Sequence, residues 1–439
     1  MRLKEFGISK MNILIFNAHN PFEASGIVGL DLFNGLRKNG ATVKLVVNKY
    51  SANYPEGMIS METWYRFWKK RAILKLRKVL SLRGGIITDS KYHFNVSEAK
   101  EVFFSTKKLL KKFKVKPDVI IILHTNRFIN AKNIYELYEI THAPVYWLMY
   151  DMAPLTGGCH YAWECLGYQN NCGNCPALFS SDPFDISFKN HLYKKTFIDK
   201  TNIKIVPGGE WLYRQTINSN LFKNHDVYKI LVAIDNNIFK PLSNKLIRKK
   251  NGIPYEKKVI FFGAMGLHEE RKGMKYILEA LKILKEILTE DSLLADKIFL
   301  LVAGNGFDII KHDLPFEKLN LGVLDNTYGL ASAYQSADVF LCPSIEDSGP
   351  TMINQSIMCG TPVVSFEMGV ALDLVINGKT GFRVKLRDSQ ALAQSIYRVL
   401  KMNDHEAFLM KENCRELALE LFHPDVISEK WLKTIQMNL

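Results

Sequence analysis

Long hydrophobic runs are missing from this chain. Those present, such as the one within "DVIIILH" at 118–124, have the length of a buried strand, far below the roughly 18 to 20 apolar residues that span a bilayer. The N-terminal "MRLKEFGISK" has basic residues but no apolar core behind them, so it does not read as a secretory signal. "MNILIFN" opens a strand at Met11, so the first ten residues read as an upstream extension. No tandem repeat, low-complexity tract, G-x-G-x-x-G fingerprint or plausible D-x-D loop occurs. These absences exclude a membrane-spanning chain, a solenoid and a Gly-fingerprint dinucleotide site. A cytoplasmic location is expected.

Acidic residues are in deficit: 44 Asp and Glu against 58 Lys and Arg leave a formal charge of +14. Such a surface suits an acidic partner, whether nucleic acid, phosphorylated substrate or anionic lipid. The stretch "WYRFWKKRAILKLRKVLSLR", 64–83, mixes eight Lys/Arg with Trp64, Trp68, Ile73, Leu74 and Leu76. It reads as a basic amphipathic helix, lying on a membrane surface or packing its apolar stripe on its own domain.

Cysteines number only seven, yet four fall in "GGCHYAWECLGYQNNCGNCP" at 157–176, as Cys159, Cys165, Cys172 and Cys175. In a reducing compartment disulfides are rare. A loop this long without an evident core also needs a staple. Zinc held by four thiolates is the favoured reading and an iron–sulfur cluster the next; unligated thiols or a disulfide stay open. Cys342, Cys359 and Cys414 sit in strand or helix contexts and read as small core residues.

Short apolar runs alternate with amphipathic stretches, which predicts strand–helix–strand units and parallel sheets. Strands are expected at 12–18, 42–48, 119–125, 144–151 and 203–208, then again at 258–264, 298–304, 339–344 and 361–366. The fold class is therefore α/β, with two doubly wound, Rossmann-like domains: 11–210, carrying the cysteine loop, and 256–412. Residues 211–255 would connect them. Ligands of doubly wound sheets bind beyond the C-terminal strand ends, so a cleft between the domains is where chemistry is expected.

Two segments of the second half stand at such ends. In "PSIEDSGPTMINQSIMCGTPVVSF" a loop, Glu346 to Gly349, precedes a helix starting near Pro350, whose N-terminus attracts anions. In "GAMGLHEERKGMKYILEAL" a loop delivers Arg271 and Lys272 to a helix start, where cations oppose the dipole unless an anion joins them. A bound diphosphate and a solvated basic turn are both compatible with that pattern. In the first half, "NAHNPFEASGIVGL" forms a compact loop with Gly26, "VIIILHTNRF" presents His124, and "WLMYDMAPLTGGCHY" presents Tyr150 and Asp151. A structural role is the alternative for His124.

The order and spacing of the Glu346 loop with "CGTPVV", the "RKG" turn, "AIDNNIFKP" and "VINGKTGFRV" resemble the GT-B glycosyltransferases of family 4, a large retaining class. The "TGGCHY" text is similar to the colanic-acid and exopolysaccharide subset. The resemblance implies a nucleotide-diphosphate sugar, UDP- or GDP-linked, as donor, and a glycan or lipid-diphosphate acceptor in surface polysaccharide synthesis. It assigns the donor diphosphate to Lys272 with Arg271 and the donor sugar to Glu346. The sugar and phosphates would face the backbone of Gly349, Pro350 and Thr351, and Gly26 would border the cleft. Asn354 stands where a ribose-binding Glu is usual, and Tyr150 where His is usual. A Tyr hydroxyl can donate a hydrogen bond but is a poor base at neutral pH. Asp151 and His124 are the candidates for aligning the acceptor.

No divalent metal is implied at the donor, and no nucleic acid as partner. Residues 413–439 would form a helix returning to the first domain, and the 64–83 helix would hold the enzyme on the inner membrane face. A nucleotide-sugar epimerase and a non-catalytic sugar-nucleotide-binding protein share the architecture.

Overall fold

A computed structural model describes residues 11–22, 26–49, 51, 54–61, 86–96, 105–113, 116–349 and 351–439; the basic stretch 64–83 and Pro350 lie outside them. The chain forms two compact units, one of Met1–Gly208, Leu212–Ile230 and Ser428–Leu439, the other of Gly209–Trp211 and Leu231–Ile427.

The first unit is built on β1 (Asn12–Asn17), β2 (Thr42–Val47), β3 (Met58–Ser60), β4 (Val119–Ile122), β5 (Val145–Met149) and β6 (Ile203–Pro207). They pair in the order β3-β2-β1-β4-β5-β6, every pair parallel. The second holds β7 (Lys258–Gly266), β8 (Ile298–Asn305), β9 (Glu317–Asn320), β10 (Val339–Cys342), β11 (Val363–Phe366) and β12 (Gly381–Val384), ordered β12-β11-β10-β7-β8-β9 and again parallel. In each sheet the chain starts centrally, winds outward, and returns to the other side. The direction therefore reverses between β1 and β4, and between β7 and β10. At such a point the two following loops diverge and leave a crevice for a ligand.

Central strands are apolar throughout because helices cover both faces: β4, "VIII", and β10, "VFLC", are buried along their whole length. Helix Met274–Ile287 buries Ile277, Leu281 and Leu284, a spacing of four and three that lays one stripe on the sheet. Three strands escape the sequence pattern: β3 (MIS), β9 (EKLN) and β12 (GFRV). All three are sheet edges, where one side lacks a neighbour and no continuous apolar run is demanded.

The last helix, Pro424–Gln436, enters the first unit from Ser428 onward. There Trp431 meets Tyr146 edge-on, ring centres 6.1 Å apart. Among the described residues no helix is long and apolar enough to cross a membrane.

Candidate functional site

In the first unit, β1 and β4 bring Asn17 and His124 together at the reversal point. Asn17 is fully buried. Its Nδ2 donates to the Gly26 carbonyl at 3.3 Å, and its Oδ1 accepts from His19 N–H at 3.1 Å. That sets the amide's orientation, so the 3.2 Å contact between Asn17 Oδ1 and His124 Nδ1 requires the proton on Nδ1 and leaves the lone pair on Nε2. Burial, and then repulsion from His19, push the His124 pKa down to about 3, which keeps the ring neutral. His19 stacks on one face of His124 with centroids 4.0 Å apart, and Tyr150 stacks at 5.2 Å. The Tyr150 hydroxyl is buried and has no partner among the described residues; burial holds its pKa well above that of a free phenol. Gly26 is obligatory for steric reasons, since a Cβ there would lie 1.7 Å from the Asn20 carbonyl oxygen.

Beyond β5, Asp151 is committed to two donors. Its Oδ1 accepts from Ala153 N–H at 2.8 Å, and its Oδ2 lies 2.7 Å from His160 Nδ1. Burial alone would raise this carboxyl; the charge and hydrogen bond of His160 outweigh it and hold the pKa below the usual value. Gly26, His124, Tyr150 and Asp151 thus gather at the strand ends as the sequence suggested. His160 and His19 were not recognised there, although His160 stands in the same Gly-rich segment as Asp151.

The cysteine loop is better held than its sequence implied. Helix Ile186–Ile198 turns a polar stripe inward, burying Ser187, Asn190, His191 and Lys194. Lys194 Nζ donates to the carbonyls of Ala153 and Thr156 at 2.6 and 2.9 Å. Asn190 donates to Gly157 O at 2.9 Å, and Gly173 N–H donates to Ser187 Oγ at 3.0 Å. Tyr92, Cys159, Cys175 and Ala177 form a small core beneath. The expectation of a coreless loop is corrected: a helical stripe of polar groups satisfies its backbone, a pattern that hydrophobic periodicity does not reveal.

All seven cysteines are free thiols, and Cys159, Cys165, Cys172 and Cys175 line one cavity of about 20 Å³. Cys159 and Cys175 share a hydrogen bond that raises the former's pKa and lowers the latter's. Among the described residues no three His, Cys, Asp or Glu side chains converge closely enough, as they stand, to grip an ion. Cys342, Cys359 and Cys414 are buried elsewhere.

In the second unit, the loops after β7 and β10 lock together. The Arg271 carbonyl accepts from Ile345 N–H at 2.9 Å and from Glu346 N–H at 3.4 Å. Arg271 and Lys272 occupy a single helical turn ended by Gly273, whose φ is +75°. Both cations reach the Asp347 carboxylate: Arg271 Nη1 at 3.2 Å, and Lys272 Nζ by a direct hydrogen bond. Glu346 and Asp347 are buried, and Asp347 was not among the expected residues. Gly349 N–H donates to Asp347 Oδ1 at 3.3 Å. Thr351 opens the helix Thr351–Met358, and Asn354, on its first turn, is 2% exposed, its Nδ2 without a partner among the described residues. Ser348 Oγ is likewise buried, with no partner among the described residues. A cavity of about 290 Å³ adjoins the turn, lined by Leu267, His268, Glu269, Tyr276 and Ile345, near the lower size of small-molecule pockets.

Residues 243–416 match the family model of glycosyl transferases group 1. The chain is 31% identical over 156 residues to the phosphatidyl-myo-inositol mannosyltransferase of Mycobacterium leprae, covering 33% of this chain and 37% of that protein. It is 22% identical over 234 residues to the UDP-Gal:alpha-D-GlcNAc-diphosphoundecaprenol alpha-1,3-galactosyltransferase of Escherichia coli, covering 52% and 53%. The matches thus span about a third to a half of these relatives' length. Sucrose-phosphate synthase from Thermosynechococcus elongatus superposes with a TM-score of 0.67 at 16% identity, over 98% of this chain and 99% of that one. The chain adopts the GT-B fold, with two Rossmann-like units of six parallel strands each.

Proposed function

We propose that this protein is a retaining glycosyltransferase that moves a sugar from a UDP- or GDP-linked donor to a glycan or lipid-diphosphate acceptor in surface polysaccharide synthesis. The observation that carries the reading is the meeting of Arg271 and Lys272 on one buried carboxylate at the reversal point of the second sheet. Two cations held there, with Ser348 Oγ and Asn354 Nδ2 close in sequence to the Asp347 they grip and without a partner among the described residues, form a ready receptor for a diphosphate and its nucleoside.

In the reaction the bond from the anomeric carbon to the leaving diphosphate oxygen breaks. A bond to the acceptor hydroxyl oxygen forms on the same face, and the hydroxyl proton passes to the leaving diphosphate. The charge that grows on the diphosphate is met by Lys272, Arg271 and the backbone N–H groups at the start of the Thr351–Met358 helix. Glu346 contacts the donor sugar. On the first unit, His124 accepts the acceptor hydroxyl through Nε2, with Asp151 close by; their task is alignment, since a His held near pKa 3 is a weak base. The protein would act at the inner face of the membrane, held there by the basic 64–83 segment.

The test is incubation of the full chain with UDP- and GDP-sugars, with and without a polyprenyl-diphosphate glycan, and NMR of the product anomer. Transfer with retained configuration is expected. Isomerised donor without acceptor would establish an epimerase instead. Calorimetry showing no affinity for any nucleotide sugar would overturn the reading.

A further inference from the structure

We propose that Cys159, Cys165, Cys172 and Cys175 bind a single zinc ion, a structural centre that holds His160 in register with Asp151.

The four cysteines are spread over residues 159 to 175, yet line the same cavity of about 20 Å³. A cavity of roughly 10–15 Å³ already admits one water, so this one suits a single ion, whereas a cluster of several irons and sulfides would need the loop to open. None of the four is oxidised to a disulfide, and each sulfur hangs on a single torsion whose rotation swings it within the cavity.

The backbone is arranged for thiolates. Gly157 N–H donates to Cys172 Sγ at 3.3 Å. Gly167 N–H faces the Cys165 sulfur and Ala177 N–H the Cys175 sulfur, each two residues beyond its cysteine. Amide donors aimed at sulfur stabilise and orient metal-bound thiolates. Between the last two cysteines, Cys172, Gly173 and Asn174 all have positive φ, at 59°, 90° and 45°. Left-handed backbone at non-glycine residues costs roughly 1–2 kcal/mol each, strain that metal coordination would offset.

Zinc displaces the thiol protons to solvent, up to four in all, leaving a Zn(Cys)4 unit of net charge −2 beside the buried Lys194. His160 follows Cys159 directly, and Thr156 Oγ1 donates to the Cys159 carbonyl at 2.7 Å. The ion would therefore set the position of the His160–Asp151 pair. Only that role rests on the sugar-transfer reading; metal content is read without it.

The test uses full-length protein purified without added metal. One equivalent of zinc per chain by elemental analysis is expected, with no visible absorption. After chelation, cobalt(II) should restore the lost melting temperature and give the intense thiolate-to-metal and d–d bands of a tetrahedral sulfur site. Cys165→Ser and Cys172→Ser should each lose or shift those bands; if either fails to fold, the cobalt spectrum of the unaltered chain still decides. Visible absorption with bound iron and sulfide, a disulfide among the four by mass, or four freely alkylated thiols with only trace zinc would each overturn the proposal.

Discussion

Asp151 and His160 meet at 2.7 Å, Oδ2 to Nδ1, while the other Asp151 oxygen accepts the Ala153 N–H. The carboxylate thus holds one imidazole nitrogen and anchors itself to its own turn, an arrangement that orients a histidine rather than offering a bare base.

If that pair aligns the acceptor, Asp151→Asn should lower kcat by about 10²-fold or more, with donor affinity by calorimetry unchanged. His160→Gln should recover part of the activity lost in His160→Ala, because the amide can still reach Asp151. Equal activities in all three variants would remove the pair from the reaction.

Lys272→Ala should cost about 10²–10³-fold in kcat/KM, the usual effect of losing one donor to developing charge. UDP affinity should weaken with it, and Arg271→Ala should follow with a smaller loss, since Arg271 also lies 2.7 Å from Glu269. Unchanged UDP binding in both would make this a solvated turn.

Gly273→Ala tests the lock between the two loops. Its φ is +75°, and a Cβ would sit 1.9 Å from the Pro343 carbonyl oxygen. The torsional cost alone is about 1–2 kcal/mol, so the melting temperature should fall by at least roughly 2–4 °C. UDP affinity should fall too, because Lys272 precedes the displaced residue.

Stability should decline on mild acidification. Burial lowers the pKa of His124 to about 3 and of His191 to about 4. Both stay neutral when folded, while the unfolded chain takes up protons near pH 6.5. Their stabilisation is therefore full above that pH and is lost as pH falls toward 4. The urea midpoint should drop between pH 7 and 5, and less so in His191→Asn. A midpoint flat over that range would contradict the burial of neutral rings.

The buried central strands, the restart of the strand–helix rhythm and the Arg271–Lys272 turn were legible because each leaves a local mark: an apolar run, or glycine and cations at a helix start. The edge strands β3, β9 and β12 left none, because one free side relaxes the demand for apolar residues. The polar stripe of helix Ile186–Ile198 was equally hidden, since its period is helical but its chemistry is inverted.

By itself the sequence determined two doubly wound units, the strand ends where Gly26, His124, Tyr150, Asp151, Arg271, Lys272 and Glu346 would stand, and the clustering of four cysteines. Tertiary structure alone decided which of these touch: Asn17 setting the His124 tautomer, His160 on Asp151, and Asp347 between two cations. Hydrogen bonds depend on side chains meeting across strands and loops, some of them more than seventy residues apart. No local pattern encodes that distance, so those partners became visible only in the fold.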